Sequence, residues 1–328
     1  MFDLDDKAIL VTGGTGSFGQ AFVRHLFKTY KPRRVVVYSR DELKQFEMQQ
    51  RFWPKELRYF IGDVRDIDRL RRAMAGIDIV VHAAALKQVP AAEYNPIECI
   101  KTNILGAENV INTCIDCGVA RVVALSTDKA VNPINLYGAT KLCADKLFIA
   151  ANHLASGTAT RFAIVRYGNV IGSRGSVLPF FLSKRESGVL PITDPRMTRF
   201  WLTVEDGVAH VDRAVRVMCG GEIFVPKVPS MRVTDLAAVI APECRQEVVG
   251  IRPGEKLHET LVPRDEAPHT IEFRDFFVIR PALQMWDAAF ASAVLGDEIG
   301  HRVGDDFEYR SDNNDEWASA ERLRAVAG

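Results

Sequence analysis

Short apolar runs alternate with longer amphipathic stretches through the first half of the chain. Each run is rich in β-branched residues and ends in glycine or polar residues, which is typical of a buried β-strand. The stretches between the runs have the length of helices. This alternation predicts an α/β fold, a doubly wound parallel sheet with helices on both faces. The predicted strands are Lys7–Thr12, Arg33–Tyr38, Leu57–Ile61, Ile77–Val81, Arg121–Leu125 and Arg161–Tyr167, and the clearest helices are Gln20–Thr29, Glu93–Cys117 and Asn135–Ser156.

The pattern loosens after residue 170, where Pro179, Pro191 and Pro195 interrupt the chain. A regular helical pattern returns only at Val204–Met218. Proline disrupts both helices and central strands, so this half is expected to form a different kind of unit. We expect residues 1–170 to form the larger domain, with 203–225 returning to it, and 171–202 and 226–328 to form a smaller mixed α/β domain and a C-terminal tail.

Three evenly spaced glycines, Gly13, Gly16 and Gly19, separate the first strand from the first helix. Glycines at such a turn let the backbone come close to a pyrophosphate, which then lies at the helix N-terminus. An ordinary glycine-rich turn is the alternative, but the strand, the turn and the helix occur in the required order. The pattern predicts a Rossmann-type dinucleotide-binding domain, with contacts from Gly13, Thr15, Gly16, Ser17, Phe18 and Gly19.

The residues after the second strand bear on the choice between NAD and NADP. An NAD enzyme usually has an acid here to bind the ribose 2′-hydroxyl. This chain has Ser39 and Arg40 first and Lys44 one turn later, and these residues suit a 2′-phosphate. Asp41 could still bind a ribose. The segment favours NADP.

Small and polar residues also follow the third and fourth predicted strands. Asp63 is placed to contact an adenine amino group, and small residues after the fourth strand let a cofactor lie against the backbone. Lys87 follows them and could contact a phosphate or a sugar, or could lie in a solvated loop. The cofactor contacts expected here are Asp63, Val64, Ala83 and Ala84.

The densest chemistry lies in the segment Ser126-Thr127-Asp128-Lys129 and the helix that follows it. In that helix Tyr137 and Lys141 are four residues apart, so they share one face. The non-catalytic alternative is a salt bridge between Asp128 and Lys129 in a loop, with Tyr137 packed in the helix. We expect a catalytic site, because the glycine turn and the Tyr/Lys pair converge on the same strand ends.

Composition narrows the class of protein. Of 328 residues, 47% are apolar, and Lys plus Arg equals Asp plus Glu at 42 each. A large core is therefore expected, and the balanced charge gives no reason to expect a nucleic-acid or membrane-surface partner. No apolar run has the roughly 20 residues of a membrane span, and the acidic N-terminus does not resemble a signal peptide. A cytoplasmic location is the default expectation.

The cysteines and acids suggest no metal site. Cys114 and Cys117 form an isolated C-x-x-C without a second pair at zinc-site spacing. Buried thiols near a helix end are the expected interpretation.

Six segments together resemble the extended short-chain dehydrogenase/reductases, and more narrowly the inverting UDP-N-acetylglucosamine 4,6-dehydratases that open the pseudaminic acid pathway. The resemblance covers nearly the whole chain to about Pro281. Related 4-epimerases usually lack the Asp–Lys pair, and larger membrane-anchored dehydratases typically have Met in place of Tyr137. The segments are T-G-G-T-G-S-F-G, Y-S-R-D-E-L-K, H-A-A-A-L-K, S-T-D-K-A-V-N-P-I-N-L-Y-G-A-T-K, R-Y-G-N-V and R-P-G-E-K.

The resemblance implies a redox step at C4 of the sugar. Tyr137 would take the proton of the 4-hydroxyl while hydride passes to tightly bound NADP, which is regenerated at each turnover. A free phenol has a pKa near 10, so Lys141 and the positive nicotinamide would have to favour the phenolate. Lys141 would also hold the nicotinamide ribose, and Thr127 would hydrogen-bond the 4-oxygen or Tyr137.

The resemblance also implies an elimination across C5 and C6. Lys129 would remove the C5 proton as a neutral amine, which requires a depressed pKa. Asp128 would protonate the departing 6-hydroxyl, which requires a protonated carboxyl. Two neighbouring groups with opposed pKa shifts form an acid–base pair, although they titrate as one unit.

The implied substrate is UDP-N-acetylglucosamine. Arginines of the smaller domain suit its diphosphate, namely Arg174, Arg196, Arg199 and Arg252. Glu255 would accept from the uridine ribose, unless it is a solvated loop acid. The substrate-binding residues expected from the resemblance are Lys87, Asn169, Val177, Arg199, Arg252 and Glu255.

Two other functions stay open at this point. A UDP-hexose 4-epimerase needs the tyrosine, the lysine and a hydroxyl but no Asp–Lys pair. A non-catalytic NADP-sensing protein on this fold generally lacks the tyrosine or the lysine, and this chain has both. The helices Glu93–Cys117 and Asn135–Ser156 form the usual dimer surface of the superfamily, so we expect a homo-oligomer, from a dimer up to a hexamer.

Overall fold

The computed structural model describes residues 1–172, 177–282 and 294–327. Arg174, one of the predicted diphosphate partners, lies outside the described residues. The strands are β1 Ala8–Thr12, β2 Arg34–Ser39, β3 Leu57–Ile61, β4 Ile79–His82, β5 Arg121–Thr127, β6 Arg161–Tyr167, β7 Asn169–Val170, β8 Val189–Ile192, β9 Thr198–Leu202, β10 Ile223–Pro226, β11 Ser230–Arg232, β12 Arg245–Val248, β13 Thr260–Val262, β14 Thr270–Glu272, β15 Phe276–Ile279, β16 Val294–Leu295, β17 Glu298–Ile299, β18 His301–Arg302 and β19 Tyr309–Arg310.

Helices cover the faces of the sheets, and short turns connect them to the strands. The α-helices are α1 Ser17–Thr29, α2 Glu42–Arg51, α3 Ile67–Met74, α4 Val89–Tyr94, α5 Pro96–Ile100, α6 Gly106–Asp116, α7 Leu136–Leu154, α8 Val177–Lys184, α9 Val204–Val217, α10 Val233–Ile240 and α11 Ala320–Ala327. A π-helical turn spans Lys101–Leu105, and 3-10 turns span Asp128–Ala130, Arg185–Ser187 and Arg264–His269.

One ten-stranded sheet dominates the structure, in the order β18-β14-β15-β10-β6-β5-β4-β1-β2-β3. Every neighbouring pair from β3 to β10 is parallel. The order 3-2-1-4-5-6 is that of a Rossmann-type doubly wound sheet, so the predicted fold class is confirmed. The carboxyl ends of β1, β4 and β5 therefore meet at one edge, with Thr12 paired to His82 and His82 paired to Ala124.

Later segments of the chain add strands to the same sheet, after an intervening segment that belongs to a smaller unit. β10 pairs with β6, and β14, β15 and β18 extend the sheet in antiparallel pairs. A separate apolar cluster includes Leu178, Leu190, Trp201 and Leu236, and it lies between α8, β8, β9 and α10. The large sheet thus carries the first half of the chain and two later returns, while the second cluster packs beside it.

Helix capping explains several boundaries. Asp41 accepts from the Lys44 backbone N–H at 3.0 Å, and Asn135 accepts from the Gly138 N–H at 2.7 Å. Each side chain satisfies a donor that the first turn of a helix leaves free, which contributes about 1 kcal/mol. Both caps bear on the predicted site, because α2 begins at the predicted 2′-phosphate segment and α7 carries Tyr137.

The predicted helix Glu93–Cys117 is the main departure from the sequence pattern, because the structure divides it into four pieces. Pro96 starts α5, and the residue before a proline disfavours helical geometry, so α4 ends one residue earlier. The π-helical turn that follows places Asn103 towards α7. Its side chain bonds both backbone groups of Leu86, at 2.8 and 2.9 Å, and Thr140 Oγ1 at 3.0 Å. A break that the hydrophobic pattern does not reveal thus fixes the loop before Lys87.

Within the described ranges, no helix is both long and apolar enough to cross a membrane.

Candidate active site

A cleft of about 610 Å³ runs along the carboxyl edge of the parallel strands. It is open enough to admit an extended ligand and is lined by backbone, hydroxyl and charged groups. Most residues expected to bind the cofactor or to act in catalysis line it, together with two of the expected substrate-binding residues, Lys87 and Asn169. They are Gly13, Thr15, Gly16, Ser17, Phe18, Gly19, Ser39, Arg40, Lys44, Asp63, Val64, Ala83, Ala84, Lys87, Thr127, Lys129, Tyr137, Lys141 and Asn169.

The glycine turn has the geometry of a dinucleotide site. Gly13 has φ +65°, and a Cβ added there would lie 2.9 Å from the Ala84 backbone nitrogen. A side chain at Gly13 would therefore both strain the turn and collide with the neighbouring strand end. The first turn of α1 carries no acidic residue, so the free N–H groups and the helix dipole can meet a phosphate. These features fit a bound pyrophosphate.

The segment after β2 presents a basic surface at one end of the cleft. Ser39 Oγ lies 2.9 Å from Thr15 Oγ1, and Arg40 is half-exposed with Nη1 3.3 Å from Asp63 Oδ2. Asp41 caps α2, and its other oxygen pairs with Lys44. Ser39, Arg40, Asp41 and Lys44 all line the cleft, with the Asp41 carboxylate engaged by the start of its own helix and by Lys44.

Asp63 is committed to neighbouring arginines. Burial alone would raise the pKa of its carboxyl, but hydrogen bonds from Arg65, at 2.7 to 3.0 Å, and the charge of Arg40 hold that pKa below its usual value. Asp63 is therefore ionised and anchors both arginines at the cleft wall. The predicted contact with an adenine amino group stays a prediction.

The acid–base segment lies directly after β5. The strand runs to Thr127, two residues beyond the predicted end, because pairing with β6 continues to Tyr167. A 3-10 turn then places Asp128 behind the cleft and Lys129 at its wall. A Cβ on Gly138 would lie 2.1 Å from the Lys129 carbonyl oxygen, so the close approach of α7 to this turn needs a glycine.

Asp128 and Lys129 form a tight pair. Lys129 Nζ donates to Asp128 Oδ1 at 3.0 Å, and Thr127 Oγ1 donates to the same oxygen at 2.8 Å. Asp128 is fully buried and its Oδ2 has no hydrogen-bond partner, whereas the Lys129 side chain is one-quarter exposed. The pair is thus accessible from the cleft through the amine.

The expected depressed pKa of Lys129 is wrong for the site as it stands. Burial lowers the pKa of Lys129, but the carboxylates of Asp128 and Glu259 outweigh burial and raise it above its ordinary value. Lys129 is therefore an ammonium in the free site. The expectation of a neutral amine came from the role that the resemblance implies, and the sequence gave no sign of Glu259, whose carboxylate lies 3.5 Å from Nζ.

Tyr137 is buried beside this pair. Burial raises its pKa to about 12, while the charge of Lys129 and a hydrogen bond with Thr127 act to lower it. Lys141 has another partner, since its Nζ donates to the Leu125 carbonyl at 2.7 Å. Burial also lowers the pKa of Lys141, against the charge of Asp145. In this arrangement the cation that favours the Tyr137 phenolate is Lys129, where the sequence suggested Lys141.

The predicted substrate residues do not all line the cleft. Asn169 does, and its buried Oδ1 has no hydrogen-bond partner. Arg199 is buried next to the acid–base pair and donates to backbone carbonyls of Thr198, Lys256 and Leu257. Four other predicted groups lie outside the lining: Val177 at the start of α8, Arg252 paired with Glu255 in the loop, and Arg196, which Asp194 holds at 2.8 and 3.0 Å.

A buried charge network behind the site was not predicted. Asp145 accepts from Ser126 Oγ at 2.6 Å, and Arg166 donates to Glu266 at 2.6 Å and lies 3.9 Å from Asp145. The network fixes the far side of β5 and α7, which carry the catalytic candidates. Only Asp145 had a usable signal, because it follows Lys141 by one helical turn.

The cysteine pair has no ligand set around it. Cys114 is buried and Cys117 is partly exposed, and burial raises the pKa of both thiols. Within the part of the chain that the structure describes, no group of three or more His, Cys, Asp or Glu side chains is arranged to hold a metal ion.

Comparisons with known proteins agree with this geometry. Residues 9–281 match the polysaccharide biosynthesis protein family. A UDP-N-acetylglucosamine 4,6-dehydratase (inverting) from Campylobacter jejuni subsp. jejuni serotype O:23/36 is 56% identical over 321 residues, which are 97% of this chain and 96% of that protein. A Rickettsia conorii protein named UDP-glucose 4-epimerase is 42% identical over 282 residues, 84% of this chain and 83% of that protein. The crystal structure of Pen from Bacillus thuringiensis has a TM-score of 0.88 at 38% identity, covering 99% of this chain and 98% of that one.

Proposed function

Because the chain belongs to the polysaccharide biosynthesis protein family and, within it, to the inverting UDP-N-acetylglucosamine 4,6-dehydratases of the extended short-chain dehydrogenase/reductase superfamily, we propose that it dehydrates UDP-N-acetylglucosamine with NADP as its cofactor. The observation that supports this reaction most is the Asp128–Lys129 pair beside Tyr137, in the same cleft as the glycine turn. The product would be UDP-2-acetamido-2,6-dideoxy-L-arabino-hexos-4-ulose, which by the same resemblance would enter pseudaminic acid biosynthesis.

The cofactor would lie against Gly13 and the N-terminus of α1, with Ser39, Arg40 and Lys44 at its ribose phosphate. Lys141 would hold the nicotinamide ribose. When bound, NADP would supply a hydride acceptor for C4 and a hydride donor for C6. Gly13 supports this placement, because a Cβ there would fill the space next to Ala84.

Tyr137 would remove the proton of the sugar 4-hydroxyl. Its phenol needs help to ionise, because burial raises its pKa to about 12. Lys129 and the hydrogen bond with Thr127 provide part of that help, and the positive charge of the oxidised nicotinamide would add to it. Oxidation at C4 then makes the C5 proton acidic.

The elimination needs a base at C5 and an acid at O6, and the resting pair already holds the required proton. Moving one proton from Lys129 Nζ to Asp128 Oδ1, which are 3.0 Å apart, turns the ion pair into an amine and a carboxylic acid. The amine takes the C5 proton, the acid protonates the 6-hydroxyl, and water leaves. Lys129 and Asp128 end as the ion pair again, so no proton is exchanged with a third group.

Proton NMR of the reaction with UDP-N-acetylglucosamine in D₂O tests the proposal. We expect a new C6 methyl signal, deuterium at C5 and inverted configuration at C5. A second candidate, a UDP-hexose 4-epimerase, is favoured by the name of the Rickettsia conorii relative. A 4-epimer formed without loss of water would support that candidate and exclude dehydration. Tight NADP binding without turnover of any UDP-hexose would instead indicate a non-catalytic sensor.

The choice of cofactor gives a separate prediction. Arg40→Ala is expected to weaken NADP binding about tenfold or more while changing NAD binding little, since only NADP offers a phosphate to the guanidinium. Calorimetric titration of cofactor-free protein with each dinucleotide measures both effects. Arg51→Ala, an exposed arginine at the end of α2, is the matched control. Equal losses for the two cofactors would contradict a 2′-phosphate contact.

We also propose that the protein is a homo-oligomer that associates through the helices around α4 to α7. The support is a set of large apolar side chains exposed there: Tyr94 is 87% exposed, Ile97 58%, Leu105 46% and Leu154 67%. Such side chains on neighbouring helices are typical of a surface that another chain covers.

A further inference from the structure

Glu259 is a buried carboxylate at the site to which no sequence motif pointed. It lies just before β13 and is 2% exposed. Its Oε1 is 3.5 Å from Lys129 Nζ and 3.8 Å from Arg199 Nε, and its Oε2 is 3.9 Å from Lys256 Nζ. Oε2 makes no hydrogen bond. A buried carboxylate of this kind is costly unless cations surround it, and three of them do.

The C-terminal tail holds Glu259 in place. Its backbone N–H donates to Ser311 Oγ at 2.9 Å, and its carbonyl accepts from the Ser311 N–H at 2.9 Å. Ser311 Oγ also bonds Thr198 Oγ1 at 2.7 Å, next to Arg199 on β9. The position of the Glu259 carboxylate is therefore set by three separate parts of the chain: its own segment before β13, β9 and the C-terminal tail.

The charges that face Lys129 are of both signs. Asp128 and Glu259 attract its ammonium, Arg199, Lys256 and Lys87 repel it, and the Tyr137 phenol is adjacent. Without Glu259, one carboxylate would have to hold the amine against three cations. The distances thus make Glu259 the group that balances them.

We propose that Glu259 is a positioning residue for Lys129, holding the amine against Asp128 and setting the pH at which the pair loses its shared proton. This inference rests on the proposed dehydration. Because the resting pair already carries the ammonium, the charge of Glu259 stabilises Lys129 before and after the proton abstraction alike, so its contribution to the rate is the placement of the amine, without contact with the sugar.

The pair has one reactive protonation state. With one shared proton it can form the amine and the acid together, whereas without that proton Asp128 cannot protonate the leaving hydroxyl. Activity should therefore fall at alkaline pH, as the pair loses its proton. Removing the Glu259 charge makes the Lys129 ammonium less stable, so the pair loses its proton at a lower pH. The pH above which activity falls should therefore be lower as well.

Glu259→Gln keeps the shape of the side chain and removes its charge. We expect dehydration to slow by about tenfold or more, because an amine displaced from its place beside Asp128 abstracts the C5 proton less well. In a plot of kcat against pH, the fall in activity at alkaline pH should begin at a lower pH than in the wild-type protein. Glu259→Asp should restore part of the rate and move this fall part of the way back towards the wild-type pH. If Glu259→Gln loses the same fraction of its activity at every pH, with the alkaline fall at the wild-type pH, Glu259 has a purely structural role and the proposal is overturned.

A second measurement needs no substrate. Trace acetylation of the free protein over a range of pH, followed by mass spectrometry of the Lys129 peptide, reports the ionisation of that amine. In Glu259→Gln the pH at which Lys129 becomes reactive should fall, and in the control Glu272→Gln, a surface carboxylate that pairs with Lys227, it should stay unchanged. An unchanged Lys129 profile in Glu259→Gln would overturn the proposal. If the wild-type protein fails to dehydrate UDP-N-acetylglucosamine, the proposed function falls, while the acetylation result still decides whether Glu259 controls Lys129.

Discussion

Lys129→Ala is expected to abolish dehydration, with a loss of about 10³-fold or more, at the upper part of the range for a general acid–base group. The reason is that Lys129 is the proposed C5 base and also the amine that passes its proton to Asp128. Oxidation at C4 should survive, because Tyr137 and the cofactor site remain. Mixing the variant with UDP-N-acetylglucosamine in D₂O should therefore reduce the cofactor but give neither a C6 methyl signal nor deuterium at C5.

Two further variants separate chemistry from folding. Lys129→Ala leaves the carboxylates of Asp128 and Glu259 without their shared cation, which costs stability when the groups are buried. Lys129→Arg keeps the charge but hardly loses its proton at ordinary pH, so it should fold normally and still fail to eliminate water. Lys146→Ala, an exposed lysine on α7, should keep full activity. A full dehydration rate in Lys129→Ala would exclude Lys129 as the C5 base.

Tyr137→Phe is expected to stop the reaction one step earlier, with a loss of about 10²- to 10⁴-fold in C4 oxidation. The substitution removes the hydroxyl that takes the proton of the 4-hydroxyl, while the ring can still pack between α4 and α5. Mixing with substrate should leave the cofactor oxidised, in contrast to Lys129→Ala.

The contrast between the two variants is the informative result. Cofactor reduction at the normal rate in Tyr137→Phe would assign the C4 proton to another group, and Tyr167, which also lines the cleft, would be the first to examine. Tyr59→Phe is the control for the loss of a phenol hydroxyl, because the Tyr59 hydroxyl donates to the Phe52 carbonyl and Tyr59 does not line the cleft.

Local sequence was sufficient to predict the placement of the candidate redox residues. The order strand, glycine turn and helix is typical of a dinucleotide site, and Tyr137 and Lys141 share a face because a helix has a fixed period. Strand ends in a parallel sheet meet at one edge, so the order of the motifs along the chain predicted their convergence in the cleft. The inner boundaries were less predictable: the π-helical turn at Asn103 depends on Leu86 and Thr140, which lie far away in the sequence.

The sequence did not predict the ionisation states of the side chains at the site. Lys129 was expected to be neutral because its implied role as the C5 base requires an amine, and the structure adds a second carboxylate, Glu259, from a distant part of the chain. Lys141 was expected to lower the pKa of Tyr137, but its amine binds the Leu125 carbonyl. Arg252 and Glu255 pair with each other in the loop instead of lining the cleft.

The fold class, the glycine turn after the first strand and the residue types of the candidate site could be predicted from the sequence, because they follow from local periodicity and from the order of strands and helices. The charges around Lys129, the group that Lys141 binds and the hold of the tail on Glu259 became visible only in the folded chain. The physical reason is that a pKa depends on burial and on charges within a few ångströms, and folding brings those charges together from distant parts of the chain.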